Sequence, residues 1–229
     1  MDKFLNNTET SIIIDKMDNF KPNPELEKQN NESEVFVCTQ CGECCHIREQ
    51  KDISREQEDN YFSYMYKSFG ILYFARLSEI TINVWPEEKE ILEKQAEKKG
   101  VNISIKPKRG FYNKKENSLV IIDYFIDHDV CPFFDDMKKQ CGVYEHRPQI
   151  CRSYPLLTTK TLGKCKYKKI DVNAYNSEKP IAEQLETRTT TIKRVLKDLL
   201  EKGEIDNTTS PIEVHELIKN SSIKELRLN

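Results

Sequence analysis

The feature that most constrains this chain is a run of cysteines, CTQCGECCHI, at residues 38–47. The run has neither the 3.6-residue period of an amphipathic helix nor the two-residue period of a strand, so packing in a core does not account for it. A second, looser group of cysteines follows far downstream. The eight cysteines of the chain are Cys38, Cys41, Cys44, Cys45, Cys131, Cys141, Cys151 and Cys165.

The cellular compartment decides what such thiols do. The first residues, MDKFLNNTETSIII, lack the basic segment and the apolar segment of a secretory signal. No apolar run approaches the roughly 20 residues that span a bilayer. We therefore expect a cytoplasmic protein without a membrane partner, in which structural disulfides are rare and dense cysteines indicate metal binding or catalysis. Cys38 and Cys41 are also too close for an unstrained disulfide.

The spacing of the run suits a metal centre. A C-x2-C turn directs two sulfurs to one point, and a further C-x2-C step adds a third, so Cys38, Cys41 and Cys44 form a three-ligand run. Cys45 diverges from its neighbour and faces a second centre or completes the first in a distorted turn. The count of eight thiols leaves open one centre or two, and the spacing fits both zinc and a [4Fe–4S] cluster.

The second group is CPFFDDMKKQCGVYEHRPQICRSYP, which begins at Cys131. Cys131, Cys141 and Cys151 stand ten residues apart, a rotation of about 280° on an ideal helix, so no single helix face presents all three. Its prolines and glycine predict loops and single turns that converge on a common point. Arg147 and Arg152 flank Cys151, and we expect them to offset the negative charge of metal-bound thiolates.

The remaining sequence predicts an α+β fold. Three β-branched or alternating segments, at 77–85, 101–105 and 118–126, predict a small antiparallel sheet. Flanking helices are predicted over the aromatic-rich segment that ends at Gly70 and between Pro86 and Gly100. A long helix follows Ser177 and closes at Gly203, and a capping box at Ser210 opens a last short helix. The cysteine loops are expected to be stapled by metal.

This pattern divides the chain into three parts. Residues 1–34 are rich in acidic residues and asparagine and are expected to form a flexible arm. Residues 35–170 form the cysteine-cluster metal-binding domain. Residues 171–229 form a helical carboxyl-terminal extension.

Taken in order, C-x2-C-x2-C-C and C-x9-C-G-V-Y-E-H-R-P-x-x-C-R-S-Y-P closely resemble the CxxCxxCC family of zinc- or iron-chelating proteins. Members are often labelled iron–sulfur proteins or Fe–S oxidoreductases. The resemblance covers residues 36–156. It implies a ligand set at Cys38, Cys41, Cys44, Cys45, Cys131, Cys141 and Cys151. Cys165 lies beyond the strongest motif, in a segment that looks as much like a basic surface loop as a ligand site.

Three functions follow from the cysteines and the resemblance. The first is a protein that holds an iron–sulfur cluster of the [4Fe–4S] type and passes electrons to a redox partner or serves an oxidoreductase. The second is a zinc-binding structural or interaction module. The third is a lysine N-methylase, because a flagellin lysine methylase carries a similar cysteine set; the chain has no G-x-G cofactor loop.

Other polar residues receive simpler interpretations. His46, His128 and His146 are interpreted as surface or outer-sphere groups, because enough thiols are present to fill the ligand positions. A net charge of −2 and a pI of about 6.2 give no overall attraction to nucleic acid. The basic stretches 106–115 and 160–169 are the candidates for contact with phosphate, but without an overall positive field they do not favour a nucleic-acid partner.

Overall fold

The structure, a computed structural model, describes residues 42, 45, 54–152 and 172–228. The predicted arm at 1–34 lies outside the described residues. The helices are α1 (Arg55–Phe69), α2 (Pro86–Lys99), α3 (Gln149–Arg152), α4 (Val172–Glu201) and α5 (Pro211–Ile218). The strands are β1 (Leu72–Tyr73), β2 (Asn83–Val84), β3 (Ile105–Asn113), β4 (Ser118–Ile126), β5 (Phe134–Asp135), β6 (Gln140–Cys141) and β7 (Ser222–Glu225).

Strand β4 is the centre of a five-stranded sheet. One of its edges pairs antiparallel with β3 along its whole length, and β1 continues the sheet beyond β3. The other edge is shared end to end by β2, which is antiparallel, and by β7, which is parallel. All nine residues of β4 are buried. The predicted α+β fold with a small antiparallel sheet is confirmed, and β7 adds a parallel strand that the sequence pattern did not predict.

The helix boundaries follow from local sequence. Ser54 and Gln57 form a capping box at the start of α1, and Gly70 ends that helix in the left-handed conformation. In α2, Pro86 occupies the first turn, and the Glu88 carboxylate accepts a hydrogen bond from the Trp85 amide at 2.9 Å. These starts and stops confirm the predicted helices.

Two predicted strands are shorter than expected. In the segment 77–85 only β2 is paired, because Ile80 packs into the core instead of joining the sheet. In the segment 101–105 pairing begins only at Ile105. The predicted long helix exists, but it starts at Val172, before the expected Ser177.

The main core lies between one face of the sheet and the helices α1 and α4. It contains Tyr61 and Met65 from α1, and Leu185, Ile192 and Leu196 from α4. The sheet contributes Phe111 from β3 and Val120, Ile122 and Phe125 from β4. The carboxyl-terminal segment therefore shares its hydrophobic core with the sheet, and Leu196 is fully buried.

A buried ion pair crosses the β3–β4 hairpin. The guanidinium of Arg109 donates to the Asp123 carboxylate at 2.6 and 3.1 Å, and Asp123 has no exposed surface. Asn83 of β2 donates to the same carboxylate at 3.0 Å. Burial lowers the pKa of Arg109, but Asp123 more than offsets this, so the net shift is upward. The charges therefore stay paired within the sheet.

Candidate metal centre

The structure describes four of the eight candidate ligands. Cys45, Cys131, Cys141 and Cys151 lie within its described residues. The other candidates, together with His46 and the basic stretch 160–169, lie outside them; the cysteines concerned are Cys38, Cys41, Cys44 and Cys165.

The first cysteine run meets the second group through the backbone. The Cys131 amide donates to the Cys45 carbonyl at 2.7 Å, and the Cys45 amide donates to the Gly42 carbonyl at 2.8 Å. Residues that are remote in sequence are thereby brought side by side. This junction joins the backbones of the two cysteine groups.

A two-stranded hairpin holds Cys131 and Cys141 together. In this hairpin β5 pairs antiparallel with β6, with Phe134 opposite Cys141. The Phe134 amide donates to the Cys131 carbonyl at 3.0 Å, and the Gly142 amide donates to the Phe133 carbonyl at 2.7 Å. Cys141 is therefore fixed relative to Cys131 by local hydrogen bonds alone.

The first run packs closely on this hairpin at Gly42. Its φ of +81° is in the left-handed region that glycine adopts without strain. A Cβ at this position would lie 2.0 Å from the ring of Phe134. Only glycine allows the cysteine run to approach the hairpin this closely.

The three cysteines lie in apolar surroundings. Cys131 is 8% exposed, and the half-buried Cys45 and Cys141 pack against the same cluster. That cluster includes Leu119 and Ile121 of β4, whereas the main core takes the alternate residues. Because alternate side chains of a strand face opposite sides of a sheet, the cysteines lie on the face opposite α1 and α4.

Cys151 arrives on the single-turn helix α3. The Pro148 carbonyl accepts hydrogen bonds from the amides of Cys151 at 2.9 Å and Arg152 at 3.0 Å. The Gln149 amide donates to the Glu88 carboxylate of α2 at 2.6 Å, and the Gln149 side chain donates to Gln184 of α4 at 3.1 Å. Two larger helices thus hold the short one.

The predicted charged neighbours have local partners. Arg147 donates to the Tyr144 carbonyl at 2.9 Å, and its guanidinium lies 3.7 Å from the centroid of the Tyr144 ring. Arg152 is exposed on α3. His128 accepts a hydrogen bond from the Ser104 amide at 2.8 Å, and His146 is exposed. The expected role of the two arginines in offsetting thiolate charge stays a prediction.

Comparison with known families supplies the decisive observation. Residues 37–180 match the family model of the CxxCxxCC proteins, described as a "putative zinc- or iron-chelating domain". The chain belongs to the CxxCxxCC family. The resemblance stated from the sequence is confirmed, and the match extends past Cys151 to include Cys165. Comparison with curated proteins and with solved structures gives no match.

The described residues fit the CxxCxxCC description in part. Cys45, Cys131 and Cys141 supply soft sulfur donors in one half-buried cluster, and zinc and iron–sulfur clusters prefer such donors. Within residues 42, 45, 54–152 and 172–228, no three His, Cys, Asp or Glu side chains are grouped to hold a metal ion. No helix among the described residues is long and apolar enough to cross a membrane.

Two residues that support the CxxCxxCC cysteines, Gly42 and Glu88, were not predicted from the sequence in that role. Gly42 and Phe134 form the close contact between the two cysteine groups, and Glu88 reaches from α2 to α3. The glycine inside the cysteine run was a usable signal, because such a position often marks a close backbone approach. Glu88 was assigned only a helix-start role, and its second partner is a tertiary contact.

Proposed function

We propose that the chain binds an iron–sulfur cluster, of the [4Fe–4S] type, through its clustered cysteines and acts as an electron-transfer or oxidoreductase component. The supporting observation is the junction of Cys131 with Cys45, which brings the two cysteine groups together on an apolar surface. Family membership supports chelation of zinc or iron.

The spacing favours iron over zinc. The C-x2-C-x2-C run and the Cys131–Pro132 pair both occur in bacterial ferredoxins, where the Cys-Pro cysteine ligates the second cluster. Burial of Cys131 and the packing of Phe134 over Gly42 would limit access of solvent to such a cluster. Solvent exposure and hydrogen bonds to sulfur set the reduction potential of iron–sulfur centres.

A bound cluster would supply one-electron redox chemistry. The chain's own residues would hold and shield it. Cys45, Cys131 and Cys141 would provide thiolates from one cluster of side chains, and Cys151 would approach from α3. Tyr144 and Arg147 close the turn between β6 and α3, which fixes the path of the chain between Cys141 and Cys151.

Purification without oxygen tests this proposal. We expect a brown protein with iron and acid-labile sulfide in equal amounts, and an electron paramagnetic resonance signal after reduction. Replacement of Cys131 by Ser should reduce the iron content. The matched control is Thr208→Ser, at an exposed position in a distant loop. This variant should leave the iron content unchanged.

A zinc-binding structural or interaction module is the second candidate. The observation that favours it is the small size of the elements around the cysteines, since β5 and β6 have two residues each and α3 has four. Short elements of this kind are typical of zinc-stapled loops. A colourless protein with stoichiometric zinc and no sulfide would select this function.

We propose a cytoplasmic protein whose partner is a protein rather than nucleic acid. The basic stretch 106–115 supports the exclusion of a nucleic-acid partner, because its cations have partners within the chain. The ion pairs join Arg109 to Asp123, Lys106 to Asp127, Lys114 to Asp206 and Lys115 to Glu204, and Lys108 donates to Asn83. Retention of the protein on heparin at 0.15 M salt would contradict this part of the proposal.

A further inference from the structure

The turn that carries Cys151 has a partly buried anchor outside the cysteine motifs. We infer that Glu88 is a positioning residue for Cys151, a role that rests on the proposed metal centre. One oxygen of its carboxylate accepts the Gln149 amide at 2.6 Å. Gln149 is the first residue of α3, and Cys151 is the third. The carboxylate therefore fixes the start of the turn from which the thiol projects.

The anchor is itself held rigidly. The second oxygen of Glu88 accepts the Trp85 amide at 2.9 Å, which completes the capping box of α2. The Trp85 side chain is 5% exposed, and the Arg188 guanidinium lies 4.0 Å from the centroid of its ring. Glu88 thus lies in the first turn of α2 beside a buried tryptophan that Arg188 of α4 covers.

Helix α3 depends on its surroundings for its orientation. It contains four residues, and its own hydrogen bonds run to the Pro148 carbonyl. The Gln149 side chain contacts Gln184, and Ile150 packs at the margin of the main core. A four-residue turn cannot hold its direction through its own backbone. The Glu88 bond is partly buried and reaches the backbone of the turn, whereas the Gln184 bond joins exposed side chains, so the Glu88 bond has the larger effect on where the Cys151 sulfur points. Groups that orient metal ligands typically change metal affinity ten- to hundredfold when they are removed.

The bond can be deleted from either side. Glu88→Ala removes the acceptor. Gln149→Pro removes the donor together with the Gln149 side chain, and the turn should still form, because proline is favoured at the first position of a helix and its fixed φ fits there. Pro148 accepts the first helical hydrogen bonds and so has the role of an N-cap, whose extended conformation is compatible with a following proline.

Two controls match these variants. Gln149→Ala keeps the amide and removes the contact with Gln184. Glu213→Ala removes the equivalent acid of the Ser210 capping box in α5, so it reproduces the loss of a helix cap away from the cysteines. Both should fold and retain metal as the parent protein does.

The readout is the rate at which the protein as isolated releases its metal to excess chelator, followed by elemental analysis and by the visible spectrum. Glu88→Ala and Gln149→Pro should each accelerate release about tenfold. The double variant should release metal no faster than either single variant, because both substitutions delete the same Gln149–Glu88 hydrogen bond. The two control variants should stay within about twofold of the parent.

The outcomes separate this inference from the proposed function. If Cys151→Ser released metal rapidly while Glu88→Ala and Gln149→Pro did not, the positioning role would be refuted and the metal centre would stand. If Glu213→Ala accelerated release as much as Glu88→Ala, general loss of stability would explain the effect and the role would also be refuted. Full metal retention by Cys151→Ser would overturn the ligand assignment and the positioning role together.

Discussion

The sheet and the cysteine loops are stabilised in different ways. Strands β3 and β4 have nine residues each and pair along their length, and every residue of β4 is buried. In the loops, β5 and β6 pair through two residues each, and the remaining elements are single turns. The sheet therefore has a hydrophobic core of its own, whereas the described cysteine loops contribute few regular hydrogen bonds, and we expect their stability to depend on what the cysteines bind.

The two regions also differ in how their negatively charged groups are neutralised. In the sheet, the carboxylate of Asp123 is neutralised by Arg109 within the chain. In the cysteine loops, thiolates would be neutralised by a bound metal. Variants that affect one region and spare the other test this difference.

The largest effect is expected from the buried ion pair. Arg109→Met leaves the Asp123 carboxylate buried without its cation, so the free energy of unfolding should fall by about 3–5 kcal/mol in urea denaturation. The metal content of the folded protein should not change. As a control, Arg109→Met with Asp123→Leu should recover most of the loss, because it removes both charges. A single variant as stable as the parent would contradict the assigned role of the pair.

Metal removal should affect the other region. Chelation should increase hydrogen exchange of the amides in 131–152 about 100-fold, which corresponds to about 2.7 kcal/mol of lost local stability. Amides in the centre of β3 and β4 should change less than about threefold, because their protection comes from the sheet. Equal acceleration in both regions would show that the molecule unfolds as one unit and would remove the distinction.

A smaller effect is expected where the cysteine run contacts the hairpin. Gly42→Ala introduces a Cβ that collides with the Phe134 ring and places a non-glycine residue at positive φ. Together these effects should lower the free energy of unfolding by about 2 kcal/mol. The control is Gly100→Ala, which has a φ of +63° and no atom within 4 Å of the new Cβ. Gly100→Ala should lower the free energy of unfolding by about 1 kcal/mol, and only Gly42→Ala should lower metal retention.

The smallest effect concerns acid stability of the loop before α5. Burial raises the pKa of Asp206, but hydrogen bonds from Thr209 and Thr208 outweigh this and lower it below the usual range. A carboxyl whose pKa is lower in the folded state stabilises the protein above its unfolded pKa and loses that contribution as the pH falls. Asp206→Ala should therefore cost about 1 kcal/mol at pH 7 and less below pH 4, measured by urea denaturation across pH.

Much of the fold was predictable because its signals are local. The proline, acids and glycine that bound α2 act within one turn of the helix, and the β-branched run 118–126 corresponds to β4 residue for residue. Strand β7 was missed because SIKE has one large apolar residue, Ile223, which is 72% exposed. Its pairing depends on where β4 lies, which a local pattern does not contain.

The candidate metal ligands were predictable from the sequence, but the contacts that hold the surrounding structure in place were not. The spacing of the cysteines identified the family, but Arg109 was assigned to a basic stretch and Glu88 only to a helix start. The sequence did contain a signal for the pairing of Arg109, since a lone Asp123 inside an apolar strand requires a buried partner. The Glu88–Gln149 contact spans 61 positions, and no local pattern predicts such a distant pairing.

The position of β7 has a consequence for synthesis on the ribosome. Tyr124 of β4 and Glu225 of β7, which share a hydrogen bond, are 101 positions apart. At about 5–20 residues per second, one half of the β4 edge waits roughly 5–20 seconds for its partner strand. During that interval an apolar strand edge is open to other nascent chains, so folding yield should depend on chaperones and on translation speed.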